Sequence, residues 1–273
     1  MGLISDIKTA AQANGTKIQN TAEQDIETLF NKLYYAPKNQ IEEVKFVKQM
    51  FTRGGASQER SGLHTSAIIV SKEQFCVREQ VLSLLYKQEQ KNNIPIGLLR
   101  IFEEGNAIHE KWQRLFIRGG LGKAEDMDFT RFYDEYNISY TPDAILTING
   151  YEYVVEIKSV NTYQFQKMTS HPSATKQIQM YMRFTGIKRG IVLCDDKNTQ
   201  AFKVFAQKYN KEITNDYIER LEDVKYHYET VMETNKMADR CDSCKTYMCK
   251  RAMQCPMRDP CYNRGKGRER LSV

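Results

Sequence analysis

Thr141-Pro142-Asp143-Ala144-Ile145-Leu146-Thr147-Ile148, then Asn149-Gly150, then Tyr151-Glu152-Tyr153-Val154-Val155-Glu156-Ile157-Lys158, is the stretch that decides the fold. Asn-Gly between two runs rich in β-branched and aromatic residues predicts a two-residue hairpin turn, because both turn positions need positive φ. With Asn149 and Gly150 as the loop, Ile148 pairs with Tyr151 and Asp143 falls opposite Glu156. Side chains alternate along a strand. Ala144, Leu146, Ile148, Tyr151, Tyr153, Val155 and Ile157 therefore make the core-facing side, and Asp143, Ile145, Thr147, Glu152, Val154, Glu156 and Lys158 share the other.

Opposed residues on one face stand with Cβ atoms about 5 Å apart, and like charges there destabilise. At an effective dielectric near 20, two unit charges at that distance repel by about 3 kcal/mol. A divalent cation turns the penalty into a binding site, and two or three oxygens completed by water suit Mg²⁺ or Mn²⁺. Lys158 projects from the same face, where an ammonium polarises an attacking water or steadies a phosphate in the transition state. The bland alternative is an exposed Glu156–Lys158 ion pair and a simple Pro142-Asp143 turn.

Outward from the hairpin, residues 22–52 read as two helices broken near Pro37, and Gly54-Gly55-Ala56-Ser57 as a loop. Ser71-Lys72-Glu73-Gln74 has the form of a capping box and predicts a helix carrying Cys76 to about Gln88. A long amphipathic helix is expected from about Leu98 to Ile117, with Ile101, Gly105, Ile108, Trp112 and Leu115 along one side and His109 bordering them. Extended segments follow near 129–136, 139–148 and 151–159, then a helix near 173–185, strands near 189–194 and 200–206, and a helix over about 210–235. That order predicts an α/β fold, a mixed β-sheet core flanked by helices. Residues 1–60 are expected to form a helical region of unknown role, 61–235 the core, and 236–273 a cysteine-rich basic segment packed on it.

The 273 residues carry a net charge of +6 and 41% hydrophobic residues, enough for a sizeable core. All of that excess charge lies in residues 236–273, whose ten Lys/Arg face four acids. A polyanion partner needs such a surface, since each neutralised phosphate releases counterions. A solvated basic tail explains the same charge. No stretch approaches the roughly 20 apolar residues that span a bilayer, and Met1-Gly2-Leu3-Ile4-Ser5-Asp6 lacks a basic-then-apolar leader. Asp6 makes Gly2 a poor myristoylation site. A cytoplasmic chain without a membrane partner is expected. Five of seven cysteines (Cys241, Cys244, Cys249, Cys255, Cys261) crowd into the basic segment, which in that compartment points to metal rather than disulfides.

Pro142-Asp143 with Glu156-Ile157-Lys158 resembles the signature of the PD-(D/E)XK nucleases, and further matches are similar to their RecB-type branch. That branch includes nuclease domains of bacterial recombination helicase-nucleases, CRISPR-associated exonucleases and stand-alone phage exonucleases. Gly105-Asn106-Ala107-Ile108-His109 fits its Gly-x-x-x-His element, and Gln177-Ile178-Gln179-Met180-Tyr181 its Gln-x-x-x-Tyr element. Four-residue spacing sets Gln177 and Tyr181 on one helical face. The resemblance covers about residues 70–262. It implies a restriction-endonuclease-like fold and a DNA exonuclease acting on ends or single strands. His109, Asp143, Glu156 and the backbone carbonyl of Ile157 would hold Mg²⁺ or Mn²⁺, with Lys158, Gln177 and Tyr181 serving catalysis. DNA is the implied partner, with recombination or helicase proteins as further ones. An endonuclease of the same chemistry and a catalytically weak DNA-binding scaffold are the rival readings.

Members of the branch often hold a [4Fe-4S] cluster with one cysteine ahead of the nuclease motifs and three after them. Cys76 fits the first, Cys255 and Cys261 fit the end of the set, and Cys241, Cys244 and Cys249 compete for the remaining position. The rival is a local structural Zn²⁺ site built from Cys241, Cys244, Cys249 and Cys255 or Cys261. Cys194, in an apolar run, reads as a buried small hydrophobe. Arg264, Lys266, Arg268 and Arg270 are the candidate DNA-gripping residues of the tail.

Overall fold

A computed structural model of the chain describes residues 22–36, 42, 44–46, 63–86 and 95–263. The expected loop at 54–57, the break at Pro37 and the tail residues Arg264, Lys266, Arg268 and Arg270 lie outside the described residues. The architecture is mixed α/β, with two mixed sheets flanked by helices. The chain divides into two compact units, one built on residues 142–209 with α1 (residues 22–33) and the greater part of α3 (Ile96–Arg118), the other on 63–86, 130–141 and 210–263.

The first unit is organised by the hairpin. Strands β4 (Ala144–Ile148) and β5 (Tyr151–Val160) pair antiparallel with Ile148 opposite Tyr151 and Ala144 opposite Val155, the register the turn dictates. Asn149 and Gly150 have φ of 53° and 78°, as the tight turn requires. Beside β5 runs the parallel β6 (Arg189–Asp196), and antiparallel to that β7 (Phe202–Lys208), giving the order β4-β5-β6-β7. One face, with Ala144, Leu146, Ile148, Val155, Ile157, Ile191, Leu193 and Val204, packs with Ile108, Trp112, Leu115 and Phe116 of α3 and Phe30 of α1. The edge of β7 is shielded: Glu23 and Glu27, one turn apart, accept the backbone N–H groups of Ala206 and Val204 at 3.0 and 3.1 Å.

The opposite sheet face is covered too. Helix α5 (Pro172–Thr185) starts after the N-cap His171, ends at Gly186 in the left-handed conformation, and lays Ile178 and Met182 over Gly190. Ile145 and Val154, assigned to the face away from the core, are therefore buried as well. Glu156 is 2% exposed, so the exposed ion pair does not describe it.

In the second unit a small sheet has the order β1-β3-β2, from Leu63–His64, Ile138–Tyr140 and Arg131–Tyr133. Helix α2 (Val77–Leu85) packs against α6 (Lys211–Thr234).

Three expectations need correction. Ser71-Lys72-Glu73-Gln74 makes an isolated turn, with the N–H groups of Gln74 and Phe75 donated to the Ser71 carbonyl, and the helix begins only at Val77 after Cys76 as N-cap. The extended run at 129–136 is cut by a 3-10 turn at Asp134–Tyr136, and that at 139–148 splits at residues 141–143 into strands of different sheets. Ile101 does not continue the buried stripe of α3; it is 55% exposed, because burial on that helix begins at Ile108.

Candidate active site

Asp143 immediately precedes β4, beyond the last register pair Ala144–Val155, and its backbone N–H reaches the Val155 carbonyl at 3.1 Å. Asp143 Oδ2 accepts the N–H of Ile157 at 2.6 Å, while Oδ1 lies 3.2 Å from His109 Nδ1. Glu156 Oε1 is 2.5 Å from Lys158 Nζ. Lys158 in turn donates to Gln177 Oε1 at 3.4 Å, and the Gln177 amide donates to the Tyr181 hydroxyl at 2.7 Å. His109, Asp143, Glu156, Lys158, Gln177 and Tyr181 thus meet through the pairing of β4 with β5 and the helical faces of α3 and α5.

Burial sets the electrostatics. Low polarity, reinforced by the charge of Asp143, pushes Glu156 up to about 8 against the pull of Lys158 and His109. For Lys158 burial opposes the charged form, but the Glu156 carboxylate outweighs it and the net shift is upward. His109 is raised likewise: burial works against protonation, and Asp143 overcomes it. Two buried carboxylates here face two cationic groups.

Among the described residues no three His, Cys, Asp or Glu side chains form a ready metal cage. The oxygens are taken up by Ile157, His109 and Lys158, except Glu156 Oε2, which is buried and finds no hydrogen-bond partner among the described residues. Such an oxygen beside a second carboxylate fits a hard cation. Mg²⁺ rarely uses an all-protein cage; one or two carboxylates, waters and substrate phosphate suffice. The donor set fits that ion.

No family model and no curated protein matches the chain. Solved structures do. The alkaline exonuclease LHK-Exo from Laribacter hongkongensis is 15% identical, over 65% of this chain and 94% of that one, with a TM-score of 0.44. LHK-Exo in complex with dAMP gives 16%, 64% and 92%, at 0.49. The protein SSO0001 gives 14%, 79% and 96%, at 0.39.

Several neighbours of the site were not anticipated. Gln113, one turn beyond His109 on α3, donates to the Asp143 carbonyl at 2.8 Å, so the same helix face holds Asp143 by its side chain and its backbone. The spacing of four from His109 was the available signal. Asp195, near the end of β6, is fully buried and accepts from Trp112 Nε1 at 2.7 Å and Lys111 Nζ at 2.6 Å, anchoring α3. The expected strand stopped one residue short of it. His171 is lowered by burial and then by the charge of Lys158, which places the start of α5 beside the site.

In the second unit, Cys76, Cys241, Cys244, Cys255 and Cys261 line one cavity of about 10 Å³ with Glu79, Arg240 and Arg251. The Cys76 and Cys241 thiols are hydrogen-bonded to each other. Cys249 does not line the cavity; its thiol is hydrogen-bonded to that of Cys244, donates to the Ser243 carbonyl at 3.3 Å and accepts from Ala252 N. Burial pushes Cys76 up to about 11 and Cys244 and Cys255 to about 12. At Cys241 burial is outweighed by hydrogen bonds with Ser243, Cys244 and Cys76, and its thiol is lowered. Cys194 is fully buried in β6, as its apolar surroundings suggested. No described helix is long and apolar enough to cross a membrane.

Proposed function

We propose that the chain is a metal-dependent DNA nuclease that hydrolyses phosphodiester bonds at DNA ends or in single strands. The observation that carries this reading is the buried, opposed pair Asp143 and Glu156, held against His109 and Lys158 at a cost that only a cation or phosphate chemistry repays. His109, Asp143, Glu156 and the Ile157 carbonyl would hold Mg²⁺ or Mn²⁺, which when bound acidifies water and polarises the phosphate. Lys158 places a positive charge where the pentavalent phosphate gathers negative charge. Gln177, braced by Tyr181, steers the Lys158 ammonium. Asp143, fixed by Ile157 N–H and the Gln113 amide, keeps its free edge toward His109.

The test is incubation of the purified chain with end-labelled linear and closed circular DNA and Mn²⁺ or Mg²⁺. Progressive loss of linear DNA with the circle intact supports the exonuclease. Cutting of the circle moves the reading to an endonuclease of the same chemistry, and binding without cleavage under either ion overturns it in favour of a scaffold.

The cysteine pocket is read as a second metal centre, a [4Fe-4S] cluster on Cys76, Cys255, Cys261 and one of Cys241, Cys244 or Cys249. The side-by-side placement of Cys76 and Cys241 supports a set that includes the distant cysteine over a purely local Zn²⁺ site. Such a cluster supplies cross-linking of the thiolates and electron storage; Arg240 and Arg251 offset thiolate charge at its rim. Anaerobically purified protein should be brown. Colourless protein with stoichiometric zinc selects the rival.

A further inference from the structure

The chain carries 34 acidic residues in 273, yet none falls between Glu156 and Asp195, a span that holds Lys158, Lys167, Lys176, Arg183, Lys188 and Arg189. Within it, residues 161–171 join β5 to α5. The connection starts three residues after Lys158 and leads into α5, whose Gln177 accepts from Lys158 Nζ at 3.4 Å. It borders the site at both ends. Its middle is the short helix α4 (Thr162–Lys167).

This helix is firmly fastened. Asn161 caps it by accepting the Gln164 N–H at 2.9 Å, Thr162 donates to Asp196 at 2.9 Å, and Lys203 donates to the Phe165 carbonyl at 2.7 Å and the Met168 carbonyl at 3.3 Å. Tyr163 takes no part in that fastening. Its ring is 68% exposed, with Lys167 Nζ 3.8 Å from the ring centroid. An i,i+4 pair of this kind contributes only about 0.2–0.5 kcal/mol to a helix, so stability does not explain a large exposed ring on a rigid rim. Tyr151 and Arg189 form a similar pair at 3.9 Å, but Tyr151 begins β5, seven residues and about 23 Å of strand from Lys158. Of these two pairs, the Tyr163 pair follows Lys158 by five residues.

We infer that Tyr163 is a stacking platform for a base of an unpaired DNA strand entering the site, with Lys167 meeting the adjacent phosphate. This rests on the DNA nuclease reading and narrows it to a strand whose bases are free to stack. A duplex keeps its bases inside the stack and offers the ring only a terminal pair. An open aromatic face beside a cation, on a connection that carries no acidic residue of its own, is the chemistry that binds single strands without regard to sequence.

The test uses the full chain with Asp143→Ala to prevent cleavage, and fluorescence anisotropy with a fluorescein-labelled single strand of about 12 nucleotides and its blunt duplex. Adding Tyr163→Ala should weaken single-strand binding about tenfold and leave duplex binding within twofold. Tyr163→Phe should restore affinity, and the Ala penalty should disappear on a strand carrying an abasic site at the contacted position. Lys167→Gln should flatten the salt dependence by about 0.7 in the log–log slope. Unchanged single-strand affinity in Tyr163→Ala, an equal loss on the duplex, or no single-strand binding by the Asp143→Ala chain would overturn the inference. Cleavage is scored separately with Asp143 intact. An active chain indifferent to Tyr163→Ala loses only the platform, and an inactive chain whose strand binding needs Tyr163 loses only the nuclease reading.

Discussion

The carboxylate site and the cysteine pocket draw side chains from distant parts of the chain, and both raise buried acids, Glu156 to about 8 and Cys76 to about 11. They differ in what holds them. The carboxylates stand on a paired hairpin, with a strand N–H fixing Asp143. The thiols stand on turns and helices of at most five residues after α6, tied to α2 and its approach through arginines: Arg78 to the Ala238 and Cys261 carbonyls, Arg251 to the Gln74 carbonyl and Glu79. One site is organised by its sheet; the other has little regular structure of its own and a small apolar contact of Leu82, Met257 and Cys261. Ligand binding in such a segment is folding free energy.

The largest expected effect follows from that contrast. Cys76→Ser, or removal of the pocket metal, should open residues 236–263 to trypsin at Lys236, Arg240, Lys245 and Lys250. Chelating the carboxylate metal should leave the cleavage pattern of 142–209 unchanged. A pocket segment that resists trypsin equally with and without metal breaks the comparison.

Next in size is Asp195→Ala, which tests whether the sheet unit needs its own polar anchor. It strands the Trp112 N–H, a buried donor, and frees Lys111, and should cost about 3 kcal/mol in urea unfolding. Trp112 is the chain's single tryptophan, so its fluorescence reports the loss directly. A shift below 1 kcal/mol would remove Asp195 as the anchor of α3.

A smaller effect comes from pH. Glu156, His109 and Lys158 are all raised in the folded chain, so folding takes up protons and the associated stability is lost as pH climbs. For Glu156 the contribution is complete below its ordinary value near 4.5 and gone above about 8. Metal-free protein should therefore melt at lower temperature at pH 8 than at pH 5. Mn²⁺ competes with those protons and should raise the melting temperature more at pH 8 than at pH 6. A Mn²⁺ effect independent of pH contradicts the electrostatic account.

The smallest effect is at Gln177. Gln177→Ala removes one bond to Lys158 and one to Tyr181, and should lower kcat about fivefold, the equivalent of about 1 kcal/mol, with the melting temperature unchanged. A hundredfold loss would make Gln177 more than a brace.

The hairpin was legible in the sequence because its determinants are local: Asn149-Gly150 fixes the turn, the turn fixes the register from Ile148–Tyr151 to Ala144–Val155, and Asp143 follows at its end. His109, Gln177 and Tyr181 were named through the resemblance to the Gly-x-x-x-His and Gln-x-x-x-Tyr elements, and their side chains meet Asp143 and Lys158. Gln113 and Asp195 were not, since their partners are 30 and 83 residues away. The turn at residues 71–74 shows the converse: a sequence with every capping residue in place forms only a turn, and the helix starts at Val77 with no side-chain cap from Cys76. The burial of both faces of β5 also escaped the alternating pattern, because α5 covers the second face with Ile178 and Met182. Among the cysteines, spacing left three contenders, and Cys241, Cys244 and Cys249 remain linked to one another, Cys244 bonding to both of the others.

The central claim is that the Asp143–Glu156 pair performs DNA hydrolysis. Its most direct test is cleavage of end-labelled linear DNA in Mn²⁺ by the unaltered chain, Asp143→Ala and Glu156→Ala, each with its melting temperature recorded. The account predicts loss of cleavage by at least a thousandfold in both variants while each still unfolds cooperatively, with lowered melting temperatures because Asp143→Ala strands the buried Ile157 N–H and Glu156→Ala takes the carboxylate from half-buried Lys158. Undiminished cleavage by either folded variant would contradict it.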